Sequence, residues 1–88
     1  MIYTVVLVAE REGGYWVHVP ALQGCHTQGE TIPEALFMAY EAIQLNLEVL
    51  EEDGDPFPTD VCQVTVDMSE ASEAFVYKLT VREVAAVA

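Results

Sequence analysis

The sequence predicts a single α+β domain with the element order β-β-β-α-β and a possible extra strand near the C-terminal end. Three observations predict it. Apolar runs rich in β-branched residues are divided by glycine turns over the first thirty residues, residues 32–53 repeat apolar side chains at three- and four-residue spacing, and β-branched runs resume after two prolines. With 88 residues the chain is one domain, and a domain of this size buries only about 60 to 65% of the surface its unfolded chain exposes. Hydrophobic residues make up 52% of the chain and mean hydropathy is +0.25, more apolar material than a small two-layer core hides. Self-association or a permanent partner is the expected outlet.

Residues 2–9 read as the first strand, with Tyr3, Val5 and Leu7 on one face and Ile2, Val6 and Val8 on the other, the pattern of a strand covered on both sides. The glycine pair Gly13-Gly14 suits a hairpin turn. Tyr15 to Val19 returns as the second strand, with Trp16 and His18 on the face opposite Tyr15, Val17 and Val19, and Pro20 ends its pairing for want of an N–H. A turn through Leu22, Gln23 and Gly24 leads into a brief third strand at Cys25-His26-Thr27. Thr31-Ile32-Pro33-Glu34 is a capping box with proline in the first turn. The helix is expected from about Ile32 to Asp53, with Leu36, Ala39, Ile43, Leu47 and Leu50 as its core stripe and Gly54 as its stop.

Asp55-Pro56-Phe57-Pro58 reads as an extended linker. Val61 to Val66 follows as a strand with Cys62, Val64 and Val66 on its apolar face. Ser69 to Glu73 can open a helix, whereas the alternation of Phe75, Tyr77, Leu79 and Val81 with Lys78, Thr80 and Arg82 favours a strand, and Val84 to Ala88 is expected to fray. The organisation expected is a domain over residues 1–66 and a tail over 67–88, a strand packing on the same domain or on a neighbouring subunit.

Charge narrows the function. Arg11, Lys78 and Arg82 stand against 15 carboxylates, a net charge of −12. Binding nucleic acid requires clustered cations that release counterions, so direct binding by this chain is not expected. A basic protein partner suits it better, although acidity also serves solubility. At about 100° per residue, Glu34, Glu41, Glu48 and Glu52 lie opposite the core stripe, yet Met38, Leu45 and Val49 fall on or beside that side and Phe37 flanks it. Trp16, Phe37, Met38, Glu41, Leu45, Glu48, Val49 and Glu52 are therefore the candidate surface for a partner or a second copy. Apolar residues exposed singly are also ordinary, and the tail could fold over this side.

His18, Cys25 and His26 are the side chains that invite a catalytic or metal reading. Neighbours on a strand point to opposite faces, so Cys25 and His26 do not readily converge, and no paired ligand spacing is present. Neither a catalytic, metal nor cofactor site is expected. Cys25 and Cys62 make no disulfide framework, and no signal-peptide pattern opens the chain, which implies a cytoplasmic protein with reduced thiols. Met1 to Ala9, the longest uncharged apolar stretch, is far shorter than the roughly 20 residues of a membrane-spanning helix.

One stretch carries a resemblance. A strand beginning Gly14-Tyr15 ends in Pro20; Pro20, Leu22, Gly24, Cys25, Thr27 and Gly29 follow a P-x-L-x-G-C-x-T-x-G pattern, and Thr31, Glu34 and Ala35 a T-x-x-E-A helix start. In this order and spacing they resemble the signature of the HicB-like antitoxins, over roughly residues 1–66. The resemblance implies a truncated RNase H-like β-β-β-α-β fold that pairs with a second copy, as a dimer or tetramer, and binds a small basic HicA-type toxin that cleaves RNA. It implies no catalytic residues. Many members of that family add a DNA-binding extension, whereas only about 20 residues follow the shared region here. The alternative reading is a homo-oligomeric binding domain without a toxin.

Overall fold

The computed structural model describes residues 1–69 and 72–81. Along the chain come β1 (Ile2–Ala9), β2 (Tyr15–His18), β3 (His26–Gly29), α1 (Ile32–Glu52) and β4 (Ala74–Thr80). The strands form one antiparallel sheet in the order β3-β2-β1-β4, and α1 packs across one face of it, mainly over β3. This is the expected α+β order, but its last element is Ala74–Thr80. The expected frayed end at Val84–Ala88 lies outside the described residues.

Central β1 is covered on both faces, as its double apolar pattern predicts: Tyr3, Thr4, Val5, Val6 and Leu7 are all buried. Tyr3, Val5 and Leu7 join Val17 and Val19 in the core under the helix. The hairpin to β2 closes through Glu10 N–H to Gly14 C=O at 3.1 Å and Gly13 N–H to Glu10 C=O at 3.0 Å, with both glycines at positive φ. Side chains with a Cβ rarely adopt that conformation.

Pro20 redirects the chain after β2. Continuing the β1–β2 register, which pairs Val6 with His18, would set Thr4 opposite Pro20. Proline gives no N–H to a ladder, so β2 leaves the sheet there and one backbone donor of β1 is left over. Asp60 takes it: the Thr4 N–H donates to Asp60 Oδ1 at 2.8 Å, and the Thr4 hydroxyl donates to Oδ2 at 2.8 Å. Nearby, the Tyr3 hydroxyl donates to the Pro58 carbonyl at 2.6 Å, so the linker is bound by individual contacts where a strand would otherwise run. Val61–Val66 is consequently not a strand, contrary to the sequence expectation. Where β2 leaves β1 the open donor is taken by the Asp60 side chain, and beyond it β1 is flanked by β2 and β4, so the run joins no ladder of β1.

The tail resolves toward strand: β4 pairs with β1 from Ile2↔Thr80 to Val8↔Ala74. Residues 69, 72 and 73 are not helical. Its inward side chains Phe75, Tyr77 and Leu79 are only partly buried, because α1 lies toward the β3 edge of the same face.

Helix α1 starts at Thr31, in extended conformation, whose hydroxyl accepts from the Glu34 N–H at 3.2 Å. The return contact from the Glu34 carboxylate is not made, so half of the expected capping box is present. Thr31→Ala should lower stability by about 1 kcal/mol, read as a lower urea midpoint at unchanged slope. At its other end, Gly54 N–H donates to Glu51 C=O at 3.1 Å and Asp55 N–H to Leu50 C=O at 2.9 Å, a Schellman closure with Gly54 at φ +73°. The fully buried stripe is Ala35, Ala39, Ile43 and Leu47, while Leu36 and Leu50 are half-buried. Two alanines lead because the first turns press directly on β3. At Gly29, an added Cβ would lie 2.6 Å from both the N and the Cα of Ala35.

Candidate functional site: an apolar groove beside the helix

The residues of the recognised motif do structural work. Leu22 and Cys25 are buried in the core, where turns through Leu22 N–H to Val19 C=O and Cys25 N–H to Leu22 C=O, both 3.1 Å, fold the loop after Pro20. Gly14 and Tyr15 open β2, Thr27 and Gly29 form β3, and Thr31, Glu34 and Ala35 start α1. Burial raises the Cys25 thiol pKa, which keeps it protonated and a poor nucleophile.

That loop and the second half of α1 enclose a groove of about 710 Å³, with Leu22, Gly24 and Cys25 on one wall, Ala42, Leu45 and Val49 on the other and Pro58 at an end. Leu45 is 63% exposed and Val49 48%. By helical phase, half-buried Met38 continues this flank toward the start of α1, and Glu34, Glu41, Glu48 and Glu52 form an acidic ridge alongside. The arrangement is an apolar slot with a carboxylate border. Gln23, His26 and Asn46 add polar groups to its lining, so the slot offers apolar contact with a few hydrogen-bonding groups at its rim, a mixture that suits a protein side chain or helix edge.

The structure divides the candidate surface. Leu45 and Val49 line the groove, and Glu41, Glu48 and Glu52 border it. Phe37 is 59% exposed on the far side of the acidic ridge, and Trp16 is on the sheet face turned away from the helix, so neither joins the groove. The loop wall was missed from sequence, since its residues meet α1 only after β2 and β3 have paired.

A second cluster lies on that outer face. As expected, Cys25 and His26 point to opposite sides. His18 and His26, which sequence spacing left apart, are register partners on β2 and β3. Trp16 stacks on both, with centroids 5.1 Å from His18 and 6.1 Å from His26. Burial, then the proximity of His26, lowers the His18 pKa. With Cys25 inward and the imidazoles outward, no thiol–imidazole pair exists among the described residues.

Fold and charge together define a small acidic α+β domain. A family model described as a HicB_like antitoxin of bacterial toxin-antitoxin system matches residues 3–87, and this chain belongs to that family. A UPF0150 protein of Thermoplasma acidophilum is 45% identical over 60 residues, covering 68% of this chain and 87% of its own length. The antitoxin HicB 1 of Photorhabdus laumondii is 41% identical over 70 residues, covering 77% of this chain but 45% of its own. Among solved structures, the N-terminal domain of a Burkholderia pseudomallei antitoxin HicB superposes with TM-score 0.66 at 27% identity, covering 93% of this chain and 99% of that one. A toxin-antitoxin complex from Streptococcus pneumoniae shares the fold, with TM-score 0.76 at 21% identity over 93% of this chain and 69% of that one. Among the described residues, no helix is long and apolar enough to cross a membrane.

Proposed function

We propose that this chain is an antitoxin that binds and neutralises a small basic RNA-cleaving toxin of the HicA type in the cytoplasm. The observation that carries the reading is the apolar groove at Leu45 and Val49 beside the acidic ridge of α1. A cationic partner is drawn by the field of a chain with net charge −12 and held by burying apolar groups in the slot. Family membership and the toxin-antitoxin complex among its structural relatives support the same reading.

The test is to mix the purified chain with a HicA-like toxin from the same genome and follow complex formation and RNA cleavage together. A stable complex that silences cleavage is expected, and absence of a complex would overturn the reading. Association should slow steeply as salt is raised, because attraction across solvent is screened within about 8 Å at physiological ionic strength. Leu45→Ala should weaken the complex about 10- to 30-fold while leaving the thermal midpoint unchanged, since Leu45 is exposed in the free chain.

Self-association is a second element of the proposal. The outer edge of β4 pairs with no other strand among the described residues, and Phe75, Tyr77 and Leu79 are partly open, which favours a homo-oligomer. An oligomer without affinity for any toxin would point to the binding domain without a toxin.

A further inference from the structure

The outer face of the sheet carries a histidine pair of which only His26 reaches the rim of the groove. His18 and His26 stand directly opposite each other on neighbouring antiparallel strands. The next pair along, Val19 and Cys25, is joined by the Val19 N–H to Cys25 C=O bond of 3.0 Å. Hydrogen-bonded and non-bonded pairs alternate in an antiparallel ladder, so His18 and His26 form a non-bonded pair, the kind whose side chains come closest. Both imidazoles project to the same side, where Trp16 stacks on each at interplanar angles of 25° and 29°. His26 is exposed, and Nδ1 of His18 is buried with no hydrogen-bond partner.

We propose that His18 and His26 form a cross-strand chelate for a divalent first-row transition-metal ion. Two imidazoles fixed on adjacent strands present borderline-soft nitrogen donors from one side, the ligand type that suits copper, nickel and zinc and does not suit calcium or magnesium. Because Nδ1 of His18 is buried, Nε2 is the atom that meets a cation arriving from solvent. His26, exposed on an edge strand, turns its ring to complete the chelate. Water fills the remaining positions, which leaves the ion open to a further donor from another molecule. With no acceptor orienting the ring of His18 through Nδ1, affinity should fall about 10- to 100-fold below that of a site with that support. The order of affinity should be copper above nickel and zinc. The proposal stands on the His18–His26 pairing and the Trp16 stack rather than on the toxin reading, although His26 also lines the rim of the α1 groove.

Trp16 is the chain's one tryptophan and sits against both rings, so its fluorescence reports on this site. Titration of the full chain with copper(II) or nickel(II) chloride should quench that fluorescence saturably and reversibly with EDTA, while magnesium chloride leaves it unchanged. His26→Asn, a change at an exposed position, should keep the thermal midpoint and abolish the saturable quenching, and His18→Asn should abolish it too. Zinc chloride should raise the thermal midpoint of the unaltered chain and not that of His26→Asn. Saturable quenching that persists in a folded His26→Asn chain would assign the cation to the carboxylates and overturn the proposal, as would an unaltered chain that copper does not quench.

Discussion

Replacing Gly29 with alanine should cost this domain about 3 kcal/mol or more and leave much of the chain unfolded at 37 °C. The substituted Cβ would fall 2.6 Å from the backbone N and Cα of Ala35, inside any permissible carbon contact. A flexible side chain could move aside, but here the neighbour is the first turn of a 21-residue helix. Relief therefore requires lifting α1 from β3, which opens the contacts of Ala35, Ala39, Ile43 and Leu47 together. A urea melt monitored by far-UV circular dichroism checks this, and a midpoint within about 0.5 kcal/mol of the unaltered chain, the range of ordinary surface changes, would show that the helix does not sit as described. The same steric constraint explains why glycine and alanine recur six positions apart in the recognised motif: they are the two sides of one backbone contact.

Asp60→Ala should lower stability by about 2 to 3 kcal/mol. The carboxylate accepts from the Thr4 N–H, the Thr4 hydroxyl and Lys78 Nζ at 2.8, 2.8 and 2.9 Å, and Lys78 also donates to the Thr4 hydroxyl at 2.6 Å. Thr4 is buried, so its N–H would be left unsatisfied away from water. The salt bridge itself contributes little, because the Lys78 side chain is 60% exposed. Partial burial alone would raise the Asp60 carboxyl pKa; the hydrogen bonds from Lys78, Thr4 and the Val61 N–H outweigh it and bring the pKa from 3.8 to about 2. A depressed carboxyl pKa stabilises the fold above the unfolded value, and that stability is lost as pH falls through the folded value. The contribution should be complete above about pH 5 and disappear between there and pH 2, amounting to about 1 kcal/mol once solvent screening is allowed for. Asp60→Asn should flatten that part of the acid denaturation curve, and an unchanged curve would show that Asp60 does not set it.

Elements defined by neighbours in sequence were legible from the sequence. The Thr31 cap, the Gly54 stop, the three- and four-residue spacing of α1 and the glycine hairpin each depend on residues within a few positions of one another. Val61–Val66 misled because its composition suits a strand, and composition does not record whether a sheet edge is free. The Pro20 stop was readable, but its result was not: the donor it frees belongs to Thr4 and the carboxylate that takes it lies 56 positions away. The candidate surface was read from helical phase, which found Leu45 and Val49 but could not supply the loop that faces them. His18 and His26 were singled out, but their pairing was not legible, because it depends on the register set by the five residues from Pro20 to Gly24.

The strand order gives this molecule a direction in time. β1, β2, β3 and α1 lie within residues 2–52 and can assemble through short connections as they are made. Strand β4 must return across 74 positions to bring Lys78 beside Thr4, and such distant pairings form late. On a ribosome releasing residues in sequence, one flank of β1 thus waits with its amides and carbonyls open until residue 80 has emerged. During that interval the nascent chain can pair with a stranger as readily as with itself. A full sheet therefore marks a chain translated through β4.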